Sequence, residues 1–218
     1  MTLGLILANA LVWFWEVTGT PFEQDVVRYG YYPCTVQGPC VAPAPPDRLD
    51  WYEGAFTSMF MHGGWEHIIG NMLFLWIFGN NVEDALGRVR FLLWYLVAGL
   101  AATALQTYVT LQYAGSADAS IPNIGASGAV AGVLGGYLLL LPRARVLTLI
   151  FGFVLREIRA FWFLGIWFAF QLYFGQFSIT QPEQGGGVAF FAHIGGFVFG
   201  FLTVLLVRRR RAPEPAYR

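Results

Sequence analysis

The sequence is poor in charge. Charged residues make up 12% of its 218 residues, whereas hydrophobic residues make up 56%. Soluble domains usually carry about a quarter charged residues, so the composition excludes an ordinary soluble domain and indicates a membrane protein. Lysine is absent, all 13 basic residues are arginine, and the formal net charge is zero. This charge balance argues against a nucleic-acid partner.

Cysteine is also scarce. The chain has 2 cysteines, Cys34 and Cys40, in a polar stretch that is rich in proline. If this stretch is extracytoplasmic, the pair can close a small disulfide loop. Two unpaired thiols are the alternative, and the sequence leaves both open.

Long apolar runs, in contrast, are abundant. A helix that crosses about 30 Å of hydrocarbon needs about twenty residues. Six runs are candidates: 3–17, 65–82, 91–111, 125–141, 160–174 and 188–207. The first run lacks the basic start and the cleavage site of a signal peptide, so we expect it to be retained. The sequence therefore predicts an all-α polytopic membrane protein, a bundle of six transmembrane helices.

This bundle is expected to be a single domain over residues 1–207, followed by a basic tail over 208–218. A long loop, 18–53, carries aromatic residues that suit the membrane interface, and loops of this length are usually functional or disordered. Residues 146–159 form an amphipathic segment that we expect to lie along the interface.

The arginines indicate the orientation. They cluster near residues 88–90, 143–159 and 208–211. The positive-inside rule places all three clusters on the cytoplasmic side. Six spans satisfy this with both termini cytoplasmic and the long loop outside, whereas five or seven spans put a cluster on the wrong face. We expect a multi-pass protein of the cell membrane, of the bacterial cytoplasmic type.

Strongly polar residues inside the apolar runs mark candidate sites, because they are costly in a bilayer. Ser127 lies in Gly125-Ala126-Ser127-Gly128, at the start of the fourth run. A lone serine in a membrane helix usually bonds to a carbonyl one turn earlier. Ser127 therefore needs a partner before it becomes a candidate nucleophile.

Small residues predict that partner. Glycines recur at Gly128, Gly132 and Gly136, and a matching stripe of Ala192, Gly196 and Gly200 lies on the sixth run. Such stripes let two helices pack closely. Each stripe lies one position from a polar residue, so close packing would bring Ser127 and His193 within hydrogen-bond distance, the arrangement of a nucleophile with its general base.

His67 and Asn71 are four residues apart, which puts them on one helix face with their donors pointing the same way. Interhelical hydrogen bonds would explain the pair as simple packing. A metal site of His62, Glu66 and His67 is another alternative. Zinc protease motifs need H-E-x-x-H or H-x-x-E-H, and this spacing meets neither. We therefore expect no metal.

These side chains together suit acyl transfer. The backbone N–H of Ser127 and the side chains of His67 and Asn71 could stabilise an oxyanion. The predicted spans offer no acidic residue to serve as a third triad member. The nearby acids lie at the predicted cytoplasmic ends, the wrong side for the site: Glu83, Asp84 and Glu157. A Ser-His dyad is therefore predicted.

The motifs that carry these residues resemble those of the rhomboid intramembrane serine proteases. The matching patterns are G-x-S-G at 125–128, H-x-x-x-x-H-x-x-x-N from His62 through His67 to Asn71, and A-H-x-x-G at 192–196. The resemblance extends over nearly the whole chain. It implies a nucleophile at Ser127, a general base at His193, oxyanion donors at His67 and Asn71, and a structural histidine at His62. The glycines expected to shape the site are Gly125, Gly128, Gly196 and Gly200.

The resemblance also implies an environment and a substrate class. Substrates would be single-span transmembrane proteins, cut within the lipid bilayer near its outer face, and no cofactor is implied. The main alternative is a non-catalytic rhomboid-like protein that binds transmembrane clients. Such proteins typically lack the serine or the histidine, and this chain has both. A transporter would show internal repeats, and none is convincing here.

The chain departs from the family pattern at two places. Many relatives have Trp-Arg at the base of the first loop, where this chain has Glu53 and Gly54. Some relatives have an aromatic residue four positions after the serine, where it stacks on the histidine, and this chain has Ala131. The sequence does not identify what holds His193 instead.

Overall fold

The structure, a computed structural model, describes residues 1–38, 40, 48–150, 154–180 and 188–209. Within these ranges the chain is mostly helical. The helices are α1 (Thr2–Thr18), α2 (Phe22–Tyr29), α3 (Trp51–Thr57), α4 (Trp65–Leu86), α5 (Arg88–Tyr113), α6 (Ser116–Ala119), α7 (Ser127–Leu140), α8 (Ala160–Thr180) and α9 (Phe190–Val207). Short 3₁₀ turns cover Pro33–Val36 and Ser58–Phe60.

The apolar helices coincide in position with the predicted runs. In the described part of the chain, α5, α8 and α9 are long and apolar enough to cross a membrane, while α1 and α7 are apolar but shorter. A helix satisfies its own backbone hydrogen bonds and is therefore suited to lipid. Three long apolar helices thus indicate a membrane protein. Six crossings remain a prediction.

Helix α7 forms the centre of the bundle. Its residues from Gly128 to Tyr137 are buried, and it packs against α4, α5 and α9. A Cβ on Gly128 would meet Ala102 of α5, and one on Gly136 would meet Trp94, so α5 runs antiparallel to α7. Gly128 also lies near Ala192, and Gly136 near Val204, so α9 runs parallel to it.

The predicted close packing of α7 and α9 is confirmed. A Cβ on Gly196 would lie 1.9 Å from the carbonyl oxygen of Gly128, and one on Gly200 would lie 1.9 Å from that of Gly132. The α7 stripe is shifted from the prediction in one respect. Gly135 makes the tightest approach from α7, 2.0 Å from the Phe197 carbonyl, whereas Gly136 instead faces Trp94.

The all-α prediction is wrong at one segment. Residues 146–159, expected to be an amphipathic interface segment, contribute to an antiparallel hairpin of β1 (Arg145–Ile150) and β2 (Val154–Arg159). Its register pairs Arg145 with Arg159 and Leu149 with Leu155. The β-branched residues Val146 and Thr148, two positions apart, favour this extended backbone.

The long loop, 18–53, is attached to the bundle. Tyr31 forms a two-way backbone bridge with Asn123, with N···O distances of 3.1 Å and 2.7 Å, and its hydroxyl bonds to Thr107 at 2.8 Å. Cys34 and Cys40 are joined by a disulfide, so the structure favours the paired alternative. Glu53 completes a capping box with Asp50 at the start of α3.

The described arginine clusters lie at one end of the bundle. The backbone N–H of Arg209 donates to the Ala85 carbonyl at 2.9 Å, and the Arg90 guanidinium donates to the Val207 carbonyl at 3.5 Å. Because α7 runs parallel to α9, the hairpin after α7 lies at this end too. Residues 210–218 of the predicted tail lie outside the described residues.

Candidate active site

Ser127 is the first residue of α7, at the end of the bundle opposite the arginines. The first backbone N–H groups of a helix have no partner within it, so the Ser127 N–H is placed as a donor. The segment before it is fixed by the Gly125 N–H, which donates to the Ser58 carbonyl at 2.8 Å. Gly125 has φ +125°, a conformation that side chains disfavour.

One cavity of about 630 Å³ contains all four predicted chemical groups. Its polar lining includes Ser127, His193, His67 and Asn71. Its apolar lining comes from α4, α7, α8 and the segment before α7. Those apolar residues include Phe74, Ile124, Val130, Ala131, Leu134 and Trp167. The cavity therefore offers polar groups beside a surface suited to an apolar chain.

Ser127 and His193 share this cavity because their helices touch through glycines. A Cβ on Gly128, the residue after Ser127, would lie 3.7 Å from the carbonyl oxygen of Ala192, the residue before His193. Among the hydrogen bonds of the described residues, none joins the Ser127 hydroxyl to the His193 imidazole. Catalytic hydrogen bonds are often long in unliganded proteins and shorten when substrate binds.

His67 is oriented as a donor. Its Nδ1 accepts the Gly63 backbone N–H at 3.2 Å, so in the neutral ring the proton resides on Nε2. A Cβ on Gly125 would lie 2.7 Å from Nε2 of His67 and 3.6 Å from the Ser127 Oγ. The Nε2–H therefore lies against the Gly125 backbone, close to the serine.

Asn71 carries an unused donor. Its side chain is buried, and its Nδ2 has no hydrogen-bond partner. It stands one turn beyond His67 on α4 and lines the same cavity. A buried N–H group without a partner costs about 1–3 kcal/mol, so this amide needs an explanation.

His62 supports His67. The His62 ring is completely buried, packs edge-on against the His67 ring at a centroid distance of 5.1 Å, and its Nδ1 lies 3.2 Å from the Phe60 carbonyl oxygen. Because a carbonyl only accepts, Nδ1 carries the proton. Burial, and secondarily the nearby His67, lowers the pKa of His62 to about 4.

The prediction that the spans offer no acid overlooks one buried residue. Glu16 lies near the end of α1 and is 1% exposed. Both of its carboxylate oxygens lie 3.4 Å from the His62 backbone nitrogen. Glu16 thus contacts the backbone of His62, whose ring packs against His67. Glu16 does not line the cavity of Ser127 and His193.

Sequence reasoning also missed the partner of His193. Gln171 of α8 is 9% exposed, and its Oε1 lies 2.8 Å from the His193 Nδ1. Trp167, one turn earlier, stacks obliquely on the same imidazole with centroids 6.0 Å apart. A lone amide in an apolar run is costly in a membrane, and that signal could have identified Gln171.

The candidate metal group does not assemble. In the described part of the chain, no three His, Cys, Asp or Glu side chains are arranged to hold a metal ion. His62 and His67 contact each other through their rings, as described above, and Glu66 is exposed.

Fold and site together define a helical membrane protein with a serine, two histidines and an asparagine around one cavity. The Rhomboid domain model matches residues 49–210, which is most of the chain. The protein therefore belongs to the rhomboid family.

Several curated proteins are similar to this chain. Rhomboid protein 1, mitochondrial, of Saccharomyces cerevisiae is 31% identical over 147 residues, covering 66% of this chain and 39% of that protein. Rhomboid protease GluP of Bacillus subtilis is 31% identical over 156 residues, covering 71% and 25%. Presenilin-associated rhomboid-like protein, mitochondrial, of Mus musculus is 27% identical over 221 residues, covering 96% and 50%. The chain spans at most half the length of these relatives.

Proposed function

We propose that this protein is an intramembrane serine endopeptidase that cuts transmembrane segments with a Ser127–His193 dyad. The support is the convergence of four groups on one cavity: a serine at a helix start, a histidine on the adjoining helix, and two donors on α4. Membership of a family that includes proteases supports the same activity.

The observation that carries the proposal is the unpartnered Asn71 Nδ2. Buried polar groups are nearly always paired, and an exception calls for a catalytic or structural reason. An oxyanion that forms during the reaction would provide the missing acceptor. The Asn71 Nδ2–H, the His67 Nε2–H and the Ser127 backbone N–H would then give the oxyanion three donors.

The chemistry uses these residues in sequence. His193 accepts the Ser127 hydroxyl proton as the oxygen attacks the scissile carbonyl. The carbonyl oxygen becomes negative and accepts hydrogen bonds from the oxyanion donors. His193 then gives its proton to the leaving nitrogen, which releases one product and leaves an acyl ester on Ser127. Water, deprotonated by His193, hydrolyses that ester and restores the serine.

The position of the arginines at one end of the bundle supports a proposed orientation. With the arginine end cytoplasmic by the positive-inside rule, Ser127 and His193 lie toward the outer face, where water can reach them. The substrates would be single-span transmembrane proteins entering from the lipid bilayer. We place the protein in a bacterial cytoplasmic membrane with both termini cytoplasmic.

The test is cleavage of a reporter single-span protein by the purified enzyme in liposomes. Cleavage should be lost in Ser127→Ala and in His193→Ala. It should persist in the matched control Ser178→Ala, whose hydroxyl bonds to the carbonyl of Gly175 within α8. Undiminished cleavage by the folded Ser127→Ala and His193→Ala variants would contradict the dyad.

A fluorophosphonate probe provides a second test, because it labels activated serines without a substrate. Wild type should be labelled and Ser127→Ala should not. Binding of the reporter by wild type without cleavage or labelling would instead support the non-catalytic, client-binding alternative.

A further inference from the structure

Gln171 contacts the His193 imidazole, yet it is neither of the two residues of the proposed dyad. It is almost completely buried, and in the α8 segment 160–174 the other side chains are aromatic or aliphatic apart from the glycine. Its neighbours on the same face are Trp167, one turn before it, and His193 across the helix contact. A polar amide in this setting is costly unless both of its ends are bonded.

Both ends of the amide are bonded, and this determines which way it points. The Nε2 group donates to the Trp167 carbonyl of its own helix at 3.4 Å. A carbonyl oxygen only accepts, so the amide nitrogen must face it. The amide oxygen then faces His193, 2.8 Å from Nδ1.

The amide oxygen in turn determines the protonation of the imidazole. An amide oxygen is an acceptor, so the His193 Nδ1 must carry a proton. A neutral imidazole has one N–H, which leaves Nε2 as the nitrogen with a free lone pair. Nε2 is the nitrogen that takes the serine proton in enzymes of this kind.

We propose that Gln171 is a positioning residue that fixes the tautomer and the ring orientation of His193, the part that a carboxylate has in a Ser-His-Asp triad. The proposal rests on the function proposed above. A neutral amide gives this orientation without placing a charge in the membrane, where a carboxylate costs several kcal/mol.

The residue four positions after the serine explains why α8 must hold the His193 ring. Ala131, 1% exposed, has no ring to lie against His193. Helix α8 supplies both contacts instead, the Gln171 hydrogen bond and the oblique Trp167 ring. The imidazole is therefore held from α8, whereas its backbone belongs to α9.

The experiment compares Gln171→Leu, which removes the acceptor, with Gln171→Glu, which replaces it by a carboxylate. Gln112→Leu on the exposed end of α5 is the matched control. For each variant we would measure kcat and KM for the reporter, the rate of fluorophosphonate labelling, and the pH dependence of both. Thermal unfolding in detergent reports on folding.

We expect Gln171→Leu to lower kcat and the labelling rate about tenfold to a hundredfold, the effect of losing one hydrogen bond at the base. KM and the unfolding temperature should change little. Gln171→Glu should recover much of the rate and move the ascending limb of the pH profile upward, because a carboxylate stabilises the imidazolium. Glu66 and His67, the other titratable residues lining the cavity, are unchanged in all variants.

Wild-type kcat in a folded Gln171→Leu variant would overturn the inference. So would equal losses in both variants with an unshifted pH profile. ¹⁵N NMR of the wild-type imidazole gives an answer even if the variants unfold. A protonated Nδ1 with an unprotonated Nε2 is expected at neutral pH, and the opposite tautomer contradicts the proposal. Cleavage by Ser127→Ala would refute the proposed function itself, a separate result.

Discussion

The carbonyl oxygen of Gly128 lies where a side chain on Gly196 would begin, 1.9 Å from the position of a Cβ. The helices that carry Ser127 and His193 therefore touch backbone to backbone. Helices in membranes gain little from hydrophobic burial against each other, so close packing of small residues is a main source of their association. The separation of the two proposed catalytic residues depends on this contact.

Gly196→Ala should separate α7 from α9. The new methyl group meets a backbone carbonyl, which cannot rotate away as a side chain can. We expect the free energy of unfolding to fall by about 3 kcal/mol and cleavage to be lost. Gly165→Ala on α8 is the control, because a Cβ there meets nothing within 4 Å. Unfolding in detergent and reporter cleavage are the measurements, and wild-type behaviour of Gly196→Ala would contradict this packing.

Asn71→Ala tests the oxyanion donor. Removing a donor of this kind typically lowers kcat by about a hundredfold to a thousandfold. Stability should be unchanged or improved, because the variant removes a buried group that has no partner. Asn80→Ala on the same helix is matched to it, since that amide is exposed and bonds to its own helix at 3.1 Å. Equal kcat in the two variants would count against an oxyanion role for Asn71.

Gly125→Ala should displace His67, another proposed oxyanion donor. The methyl group would lie 2.7 Å from the His67 Nε2, and the positive φ adds backbone strain. We expect reporter cleavage to fall about a hundredfold or more. Gly64→Ala shares a positive φ but meets nothing within 4 Å, so it measures the strain alone. If both variants lose activity equally, the contact with His67 is not the cause.

The buried His62 predicts an acid-sensitive fold. Its pKa is about 4 in the protein and ordinarily 6.5. The unfolded chain therefore takes up a proton at a pH where the folded chain does not. The His62 contribution to stability should be full above pH 6.5, fall by about 3 kcal/mol as the pH decreases to 4, and level off below.

Thermal unfolding in detergent from pH 7.5 to 3.5 checks this prediction. Glu16 contacts the His62 backbone, so the series is repeated in a Glu16→Gln background to isolate the imidazole. His62→Gln should remove the slope between pH 6.5 and 4. A slope that survives in His62→Gln would assign it to another group.

The sequence predicted the positions of the long helices well, because apolar runs in a bilayer have few alternatives to a helix. It also predicted which two helices pack closely, since glycine stripes are a local pattern with a direct geometric meaning. The hairpin from Arg145 to Arg159 was not predicted. Its apolar residues suit an amphipathic interface segment equally well. Only the pairing of β1 with β2 decides that the segment forms two strands.

The site was predictable in part. The motifs identified Ser127, His67, Asn71 and His193 as candidates, and the structure brings all four to one cavity. Glu16 was missed because its contact with His62 joins residues far apart in the chain. Gln171 is marked by the sequence as an amide in an apolar run, but its contact with His193 is not. The tautomers of His67 and His193 likewise depend on contacts, which the order of residues does not reveal.

The two-way bridge between Tyr31 and Asn123 joins the long loop to the segment that leads into Gly125 and Ser127. Two segments linked in this way open together, as one cooperative unit. Amide hydrogen exchange at Tyr31 and at Asn123 should therefore proceed at a common rate. The segment that leads into the oxyanion side of the cavity is then only as persistent in time as the loop bonded to it.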